Sequence, residues 1–400
     1  MLVIGAGLAG AKAVEAARES GYGGTVVLVG DEGVLPYERP PLSKDVLRGE
    51  KPLDSSTVFD EQWYADHQVE LVLDDAVVGL DPASRTATLR GGRSLSFDTC
   101  VLATGSSPRR LDVPGAGLGG VHLLRTRGDA AALQGALQTA TRVAVLGAGW
   151  IGCEVAASAR QLGKEVVLVE PAPLPLLRVL GSQVALAFRE LHADHGVDPR
   201  FDVSPVALHG TGSVESVELS DGSSEPADLV VVGVGVDPRV ELAAFAQLEV
   251  DNGIVVDEHL HAGRSGVLAC GDVASAWHPR YQRHLRVEHW ANALNQGAAA
   301  GRNAAGAHEA YTRLPYFYSD QYDLGLEYVG WADASQADVA VRGSLEDREF
   351  IAFYHRDGVV DAALAVNTWD VIEDLKGIVN RNAPSDLAAL TDPDQPLAPR

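Results

Sequence analysis

Cysteine is scarce in this chain: Cys100, Cys153 and Cys270 are the only three in 400 residues. They form no CxxC pair and no Cys/His spacing suited to a metal, so neither a disulfide framework nor a metal site is expected. All three fall in apolar stretches, the setting of buried structural thiols rather than redox ones. Low cysteine use suits a reducing cytoplasm. Positive charge is also short, with 32 Lys and Arg against 55 Asp and Glu, a net charge of −23. Nucleic acids and anionic membranes want a basic footprint, so neither is expected as a partner. The longest apolar run, Leu229 to Val236, is far below the ~20 residues of a membrane helix. With a first strand read at the very start, no signal peptide is expected. What is present is an ordinary apolar content of 46%, enough for a core in each of two or three domains.

Glycine is placed with purpose. The apolar run Leu2 to Ile4 leads into Gly5-Ala6-Gly7-Leu8-Ala9-Gly10. A helical pattern follows, with Ala11, Val14 and Ala17 on one face, then a strand from Thr25 to Val29. The same order returns at Val143 to Leu146, Gly147-Ala148-Gly149-Trp150-Ile151-Gly152, a helix to about Leu162 and a strand from Glu165 to Val169. Strand, GxGxxG, helix, strand is the start of a dinucleotide-binding Rossmann unit. Its first glycine allows the tight turn, its second admits the pyrophosphate, and its third lets helix pack on strand. One such turn is weak evidence; two, each between a strand and a helix, are strong.

Apolar strands at Thr99 to Thr104 and Leu229 to Val236 run into Gly105-Ser106-Ser107-Pro108 and Asp237-Pro238-Arg239. They read as the two crossings between a first domain and a second inserted into it. The expected organisation is therefore α/β: a discontinuous first domain of 1–108 and 242–314, an inserted domain of 109–241, and a small α+β C-terminal domain of 315–400. In the last, Gly325 to Trp331, Asp338 to Arg342, Glu349 to His355 and Val359 to Val366 read as strands. A helix begins near Asp370, with Asp370 and Glu373 at capping-box spacing. Asp392 to Arg400 reads as a loose tail.

The residue ending the second strand of each unit indicates the ligand. Glu170 lies 23 residues after Gly147 (170 − 147), where a carboxylate accepts from ribose hydroxyls and repels a 2′-phosphate. No arginine follows until Arg178, so NADH is favoured over NADPH. In the first unit the equivalent position is Gly30, and Asp31 is expected to hold the FAD ribose.

The segment Leu35-Pro36-Tyr37-Glu38-Arg39-Pro40-Pro41-Leu42-Ser43-Lys44 resembles the flavin-side segment of bacterial FAD-dependent NADH:ferredoxin reductases, the proteins that feed putidaredoxin-type [2Fe–2S] ferredoxins and rubredoxins. The likeness continues through Ala103-Thr104-Gly105, Leu124-Arg125-Thr126, Cys270-Gly271-Asp272, Arg286 to Ala293 and Tyr316-Phe317-Tyr318-Ser319-Asp320-Gln321-Tyr322. It implies a glutathione-reductase-like fold with FAD, NAD and C-terminal domains. It also implies that Gly5, Gly7, Leu8, Ala9, Gly10, Asp31, Arg39, Lys44, Val77, Ala103, Thr104, Gly105, Arg125, Asp272, Glu288, His289, Trp290, Ala293 and Tyr318 hold FAD. NAD would fall to Gly147, Gly149, Trp150, Ile151, Gly152, Glu154, Glu170 and Gly235. Lys44 and Glu154 would face each other beside the isoalloxazine ring, where nicotinamide stacks. Two departures stand out: Tyr318 replaces a common tryptophan, and Gly30 replaces the usual acid.

The implied activity is transfer of a hydride from NADH to FAD, then of single electrons to a [2Fe–2S] ferredoxin serving an oxygenase such as a cytochrome monooxygenase. The enzyme would be cytoplasmic, a monomer or weak homodimer. A disulfide, peroxide or coenzyme-A-disulfide reductase would need a redox cysteine beside the flavin, and the segment Arg39 to Lys44 has none. A signalling flavoprotein like the apoptosis-inducing-factor relatives would want surplus basic residues for nucleic acid. For a ferredoxin, the densest basic stretch is Arg280, Arg283, His284 and Arg286, with Arg302 and Arg313 beyond it. A positive docking rim is expected from Arg283 or Arg286 with Arg302 or Arg313.

Overall fold

The run Leu2–Ile4 is apolar on both faces, as a strand covered on both sides must be. In the computed structural model, which describes residues 1–263 and 266–397, it is the middle strand of a five-stranded parallel sheet. The order is Val267–Ala269, Cys100–Leu102, Leu2–Ile4, Val26–Val29, Val69–Val72. Leu2 registers with both Val27 and Cys100. The helix Leu8–Glu19 buries the expected face, with Ala11, Val14 and Ala17 fully covered. A second helix, Trp290–Ala304, packs along it. These elements build one core within a unit made of Met1–Glu38, Asp54–Ser107 and Asp237–Pro315.

A second unit comprises Arg39–Leu53, Pro108–Val236 and the chain from Tyr316 onward. It holds the repeated dinucleotide topology, a parallel sheet ordered Val197–Phe201, Glu165–Glu170, Arg142–Leu146, Leu229–Val232, Val121–His122. It also holds an antiparallel sheet ordered Tyr316–Gln321, Leu324–Gly330, Val359–Val366, Glu349–Arg356, Asp338–Ser344. Four of these strands are the expected ones; the fifth, Tyr316–Gln321, alternates half-buried or exposed with buried residues as an edge strand does. Phe317, Tyr328, Tyr354 and Leu364 from this sheet share a core with Leu133, Val143 and Phe188. The segment 39–53, read above with residues 1–108, packs in this second unit because Leu47 enters the same core.

Two local expectations fail. The helix after Asp370 runs Ile372–Asn380 with Val371 as its cap and no side-chain cap bond. Asp370 sits at φ +62, outside the extended geometry a capping carboxylate requires. The tail is not loose where it is described. The Arg342 guanidinium donates to the carbonyls of Leu390 (3.3 Å), Asp392 (2.6 Å), Pro393 (3.0 Å) and Gln395 (2.8 Å), tying the strand Asp338–Ser344 to the chain end. The last three residues of that tail lie outside the described residues.

Candidate functional site

The first turn has the geometry its glycines predict. Gly5 stands at φ +116, and a Cβ on it would lie 2.1 Å from the Ala103 carbonyl oxygen. A Cβ on Gly10 would lie 2.0 Å from the Gly5 oxygen, whereas one on Gly7 meets nothing within 4 Å. Gly7 caps the helix Leu8–Glu19 without any side-chain bond. The opening N–H groups of a helix have no partner inside it and carry a partial positive charge; here they belong to Leu8, Ala9 and Gly10, next to the uncrowded Gly7. That is a cradle for a phosphate. Nearby, Ala9 Cβ lies 3.0 Å from where a Cβ on Gly271 would sit, with Ala293 Cα at 4.0 Å. The structure therefore brings Ala9, the Gly271-Asp272 turn and Ala293 together. His289 caps the helix Trp290–Ala304 with no side-chain bond, and Glu288 pairs with Arg286. Ala103, Thr104 and Gly105 follow the strand Cys100–Leu102; Thr104 donates to the Arg239 carbonyl at 2.8 Å. Val77 opens a short strand beside this core.

Gly30 has a steric reason. A Cβ there would lie 2.5 Å from Ala6 Cβ, so the acid moves one place along. Asp31 is exposed, with Arg239 at 3.7 Å. Glu32 accepts from the Tyr37 hydroxyl at 2.5 Å.

The second turn repeats the first. A Cβ on Gly152 would lie 1.9 Å from the Gly147 oxygen, and one on Gly149 meets nothing within 4 Å. Gly149 caps the helix Trp150–Gln161 without a side-chain bond. The Trp150 ring packs edge-on to Phe317 and Phe188, so only its backbone faces the turn, while Ile151 is exposed. Glu170 accepts from Ala148 N at 2.8 Å and Ala172 N at 3.1 Å, which sets its carboxylate against the turn. Gly235 accepts at its carbonyl from Arg109 N at 2.9 Å. Both turns fit a dinucleotide: the open glycine lies where a phosphate must approach, and the crowded one where helix meets strand.

Lys44 and Glu154 meet, as the resemblance implies. Lys44 Nζ lies 2.9 Å from Glu154 Oε1, with side-chain exposures of 12% and 5%. The short 3-10 turn Pro40–Ser43 delivers the lysine, and the helix Trp150–Gln161 the glutamate. Lys44 also stands 5.6 Å over the ring of the exposed Tyr318. Arg39 donates to the Arg125 carbonyl, so these two predicted residues are neighbours. Burial raises the pKa of Asp320 against the opposing pull of Lys44. Ser43 and Ser319, absent from the predicted set, both donate to Glu154, at 2.5 and 2.7 Å. They lie 111 and 165 residues from it in sequence, so spacing carried no signal.

All three cysteines are fully buried and free. Burial pushes the Cys100 and Cys270 thiols up to about 12 and Cys153 higher still. Two of the four arginines named for a docking rim are engaged by acids of the same chain. Arg286 is mostly covered, donating to Asn252 and paired with Glu288, and Arg302 is paired with Glu309 at 2.6 Å. Carboxylates of the same chain already neutralise both.

Two dinucleotide turns with a buried lysine–glutamate pair define an oxidoreductase of the two-nucleotide class. The chain belongs to the pyridine nucleotide-disulphide oxidoreductase family, whose pattern matches residues 1–297; a reductase C-terminal domain matches residues 316–399. Membership implies a flavin and a nicotinamide nucleotide. The chain is 38% identical over 354 residues to rhodocoxin reductase of Rhodococcus erythropolis, covering 88% of this chain and 83% of that one. It is 38% identical to the ferredoxin–NAD(+) reductase component of the anthranilate 1,2-dioxygenase system of Burkholderia cepacia, covering 98% and 97%. The solved covalent putidaredoxin reductase–putidaredoxin complex matches with a TM-score of 0.95 at 35% identity, covering 99% and 96%. Among the described residues no helix is long and apolar enough to cross a membrane.

Proposed function

We propose that this protein is an FAD-dependent NADH:ferredoxin reductase that passes single electrons to a [2Fe–2S] ferredoxin serving an oxygenase. The observation that carries this reading is the contrast between two chemistries: a lysine–glutamate pair stands by the nicotinamide turn, while every thiol is buried and held protonated. A disulfide or peroxide reductase needs a reactive thiolate. The relatives named above are reductases of ferredoxins or of oxygenase systems.

Bound FAD supplies the conversion of a two-electron donor into one-electron steps, and the protein supplies position and field. The amides of Leu8, Ala9 and Gly10 hold its pyrophosphate. Asp31 takes the adenosine ribose, and Asp272 a ribityl hydroxyl. The Trp290–Ala304 helix presents its positive end, flanked by Glu288, His289 and Trp290. In the second unit, the amides of Trp150, Ile151 and Gly152 hold the NADH pyrophosphate, and Glu170 takes the ribose. Lys44 and Glu154 orient the nicotinamide carboxamide; neither transfers a proton. We place the enzyme in the cytoplasm, where free thiols and NADH are both found.

The test is direct. The purified protein should be yellow, with one non-covalent FAD per chain, bleached by NADH and reoxidised by a [2Fe–2S] ferredoxin in preference to disulfides or peroxide. A folded, colourless protein that takes up no FAD overturns the assignment.

A further inference from the structure

Behind the Lys44–Glu154 pair runs a line of buried polar side chains within the second unit. Ser319 Oγ donates to Glu154 Oε1 at 2.7 Å, and Gln321 Nε2 donates to Ser319 Oγ at 3.4 Å. Gln321 Oε1 lies 3.0 Å from His192 Nε2, and His192 Nδ1 lies 3.3 Å from the Tyr322 hydroxyl. Ser319 and His192 are 1% and 2% exposed, and Gln321 is fully covered.

Chemistry fixes the direction of every bond. A carboxylate only accepts, so Ser319 must give its proton to Glu154. The serine oxygen is then left to accept from the Gln321 amide, which turns the Gln321 oxygen towards His192. His192 Nε2 must therefore carry the hydrogen, and its Nδ1 accepts from Tyr322. Burial pushes the His192 imidazole down to about 4, so the ring is neutral at pH 7 and keeps this single tautomer. All four donors point the same way, ending on Glu154 Oε1, the oxygen that also receives Lys44. Ser43 takes the other oxygen, and its own carbonyl accepts from Ser158 at 2.6 Å. Each of the two carboxylate oxygens is thereby met by a serine hydroxyl.

We infer that Ser319, backed by Gln321, His192 and Tyr322, is a positioning residue for the Lys44–Glu154 pair, through which the C-terminal domain takes part in the nicotinamide half of the reaction. The inference rests on the assignment of that pair to the nicotinamide step. Aligned dipoles in a low-dielectric interior reinforce one another, so the line both compensates the buried carboxylate and fixes its rotamer. With Glu154 fixed, the lysine ammonium has one place to sit. Gln321 and Tyr322 come from the C-terminal domain and His192 from the helix Leu177–Asp194.

The experiment uses the full chain with FAD bound. Flavin bleaching after rapid mixing with NADH is followed in wild type, Ser319→Ala, Ser319→Thr and Glu154→Gln. Histidine 15N NMR on the wild type reads the His192 tautomer from pH 5.5 to 8. Losing a hydrogen bond to a charged group should slow bleaching by Ser319→Ala on the order of tenfold. The NADH dissociation constant and FAD content should be unchanged, and Ser319→Thr, which keeps the hydroxyl, should recover most of the rate. His192 should stay neutral with hydrogen on Nε2 throughout. Wild-type bleaching in Ser319→Ala beside a slow Glu154→Gln overturns this inference alone. Wild-type bleaching in Glu154→Gln as well overturns the role of the pair itself. If Ser319→Ala does not fold, the tautomer decides: hydrogen on Nδ1, or a titration near 6.5, refutes the line of donors.

Discussion

Glu170 is held by the backbone and is the residue proposed to take the NADH ribose. Its carboxylate holds the amides of Ala148 and Ala172, and lone pairs remain for a ribose. Replacing it by alanine should narrow the preference for NADH over NADPH, mainly by weakening NADH. A lost hydrogen bond to a charged group is worth ~1.5–3 kcal/mol, at least about tenfold. Specificity constants for both nucleotides check this; equal wild-type values would show that the carboxylate does not face the ribose. His192 gives a second prediction. Its folded pKa, about 4, is below an unfolded value near 6.5. The stability tied to its neutral form is full above 6.5 and is lost as pH falls towards 4, because the unfolded chain takes the proton first. Between pH 7 and pH 5 the wild type should lose ~2 kcal/mol through this group. Urea titrations of wild type and His192→Gln at the two pH values should differ by that amount. The buried thiols give a third: iodoacetamide on the folded enzyme should leave turnover unchanged. Inactivation by alkylation would bring the disulfide-reductase reading back.

At the scale of elements, the two glycine turns separate ligand effects from fold effects. Gly7 has room for a side chain and ordinary backbone angles; Gly10 has neither room nor slack, since its Cβ would meet a backbone oxygen at 2.0 Å. Gly7→Ala should therefore fold with near-native stability yet lose FAD, while Gly10→Ala should lose ~1–3 kcal/mol of stability whether or not FAD is bound. Thermal melts of the apoprotein with an FAD titration distinguish them. The same turns explain what the sequence revealed. Their spacing between apolar runs is local, so strand, turn and helix could be read from neighbours in the chain. The partners of Glu154 could not, because Ser43 and Ser319 reach it from a 3-10 turn and an edge strand far away in sequence. Asp370 misled for the opposite reason: the residue types matched a capping box, but a left-handed φ turned its backbone out of register. The tail misled because composition is blind to Arg342, whose guanidinium collects four carbonyls.

At the scale of the whole molecule, the −23 charge sets a repulsive background for any acidic partner. Salt at ~0.15 M screens charge beyond ~8 Å, so docking depends on local patches. Arg286 and Arg302 are paired with Glu288 and Glu309; Arg283 and Arg313 are exposed and are the cations to test. Arg283→Glu should slow ferredoxin reduction and leave ferricyanide reduction by NADH almost intact. An unchanged rate with ferredoxin places its docking surface elsewhere. Arg286→Glu is expected to cost stability instead, because it would set two carboxylates face to face.

The chain crosses between its two units five times, at 38/39, 53/54, 107/108, 236/237 and 315/316. Each core is thus a braid of three stretches. During synthesis the first core lacks the helix Trp290–Ala304 until three quarters of the protein has left the ribosome, and the second waits for the strands beyond Tyr316. Domains commonly fold in turn from the N-terminus, as chain emerges at ~5–20 residues per second; here the first core waits for the stretch up to Pro315 and the second for the stretch after it. Neither half can be cut out as a single cassette for fusion to another protein, and a truncation just before Tyr316 removes strands of the second core while leaving every stretch of the first.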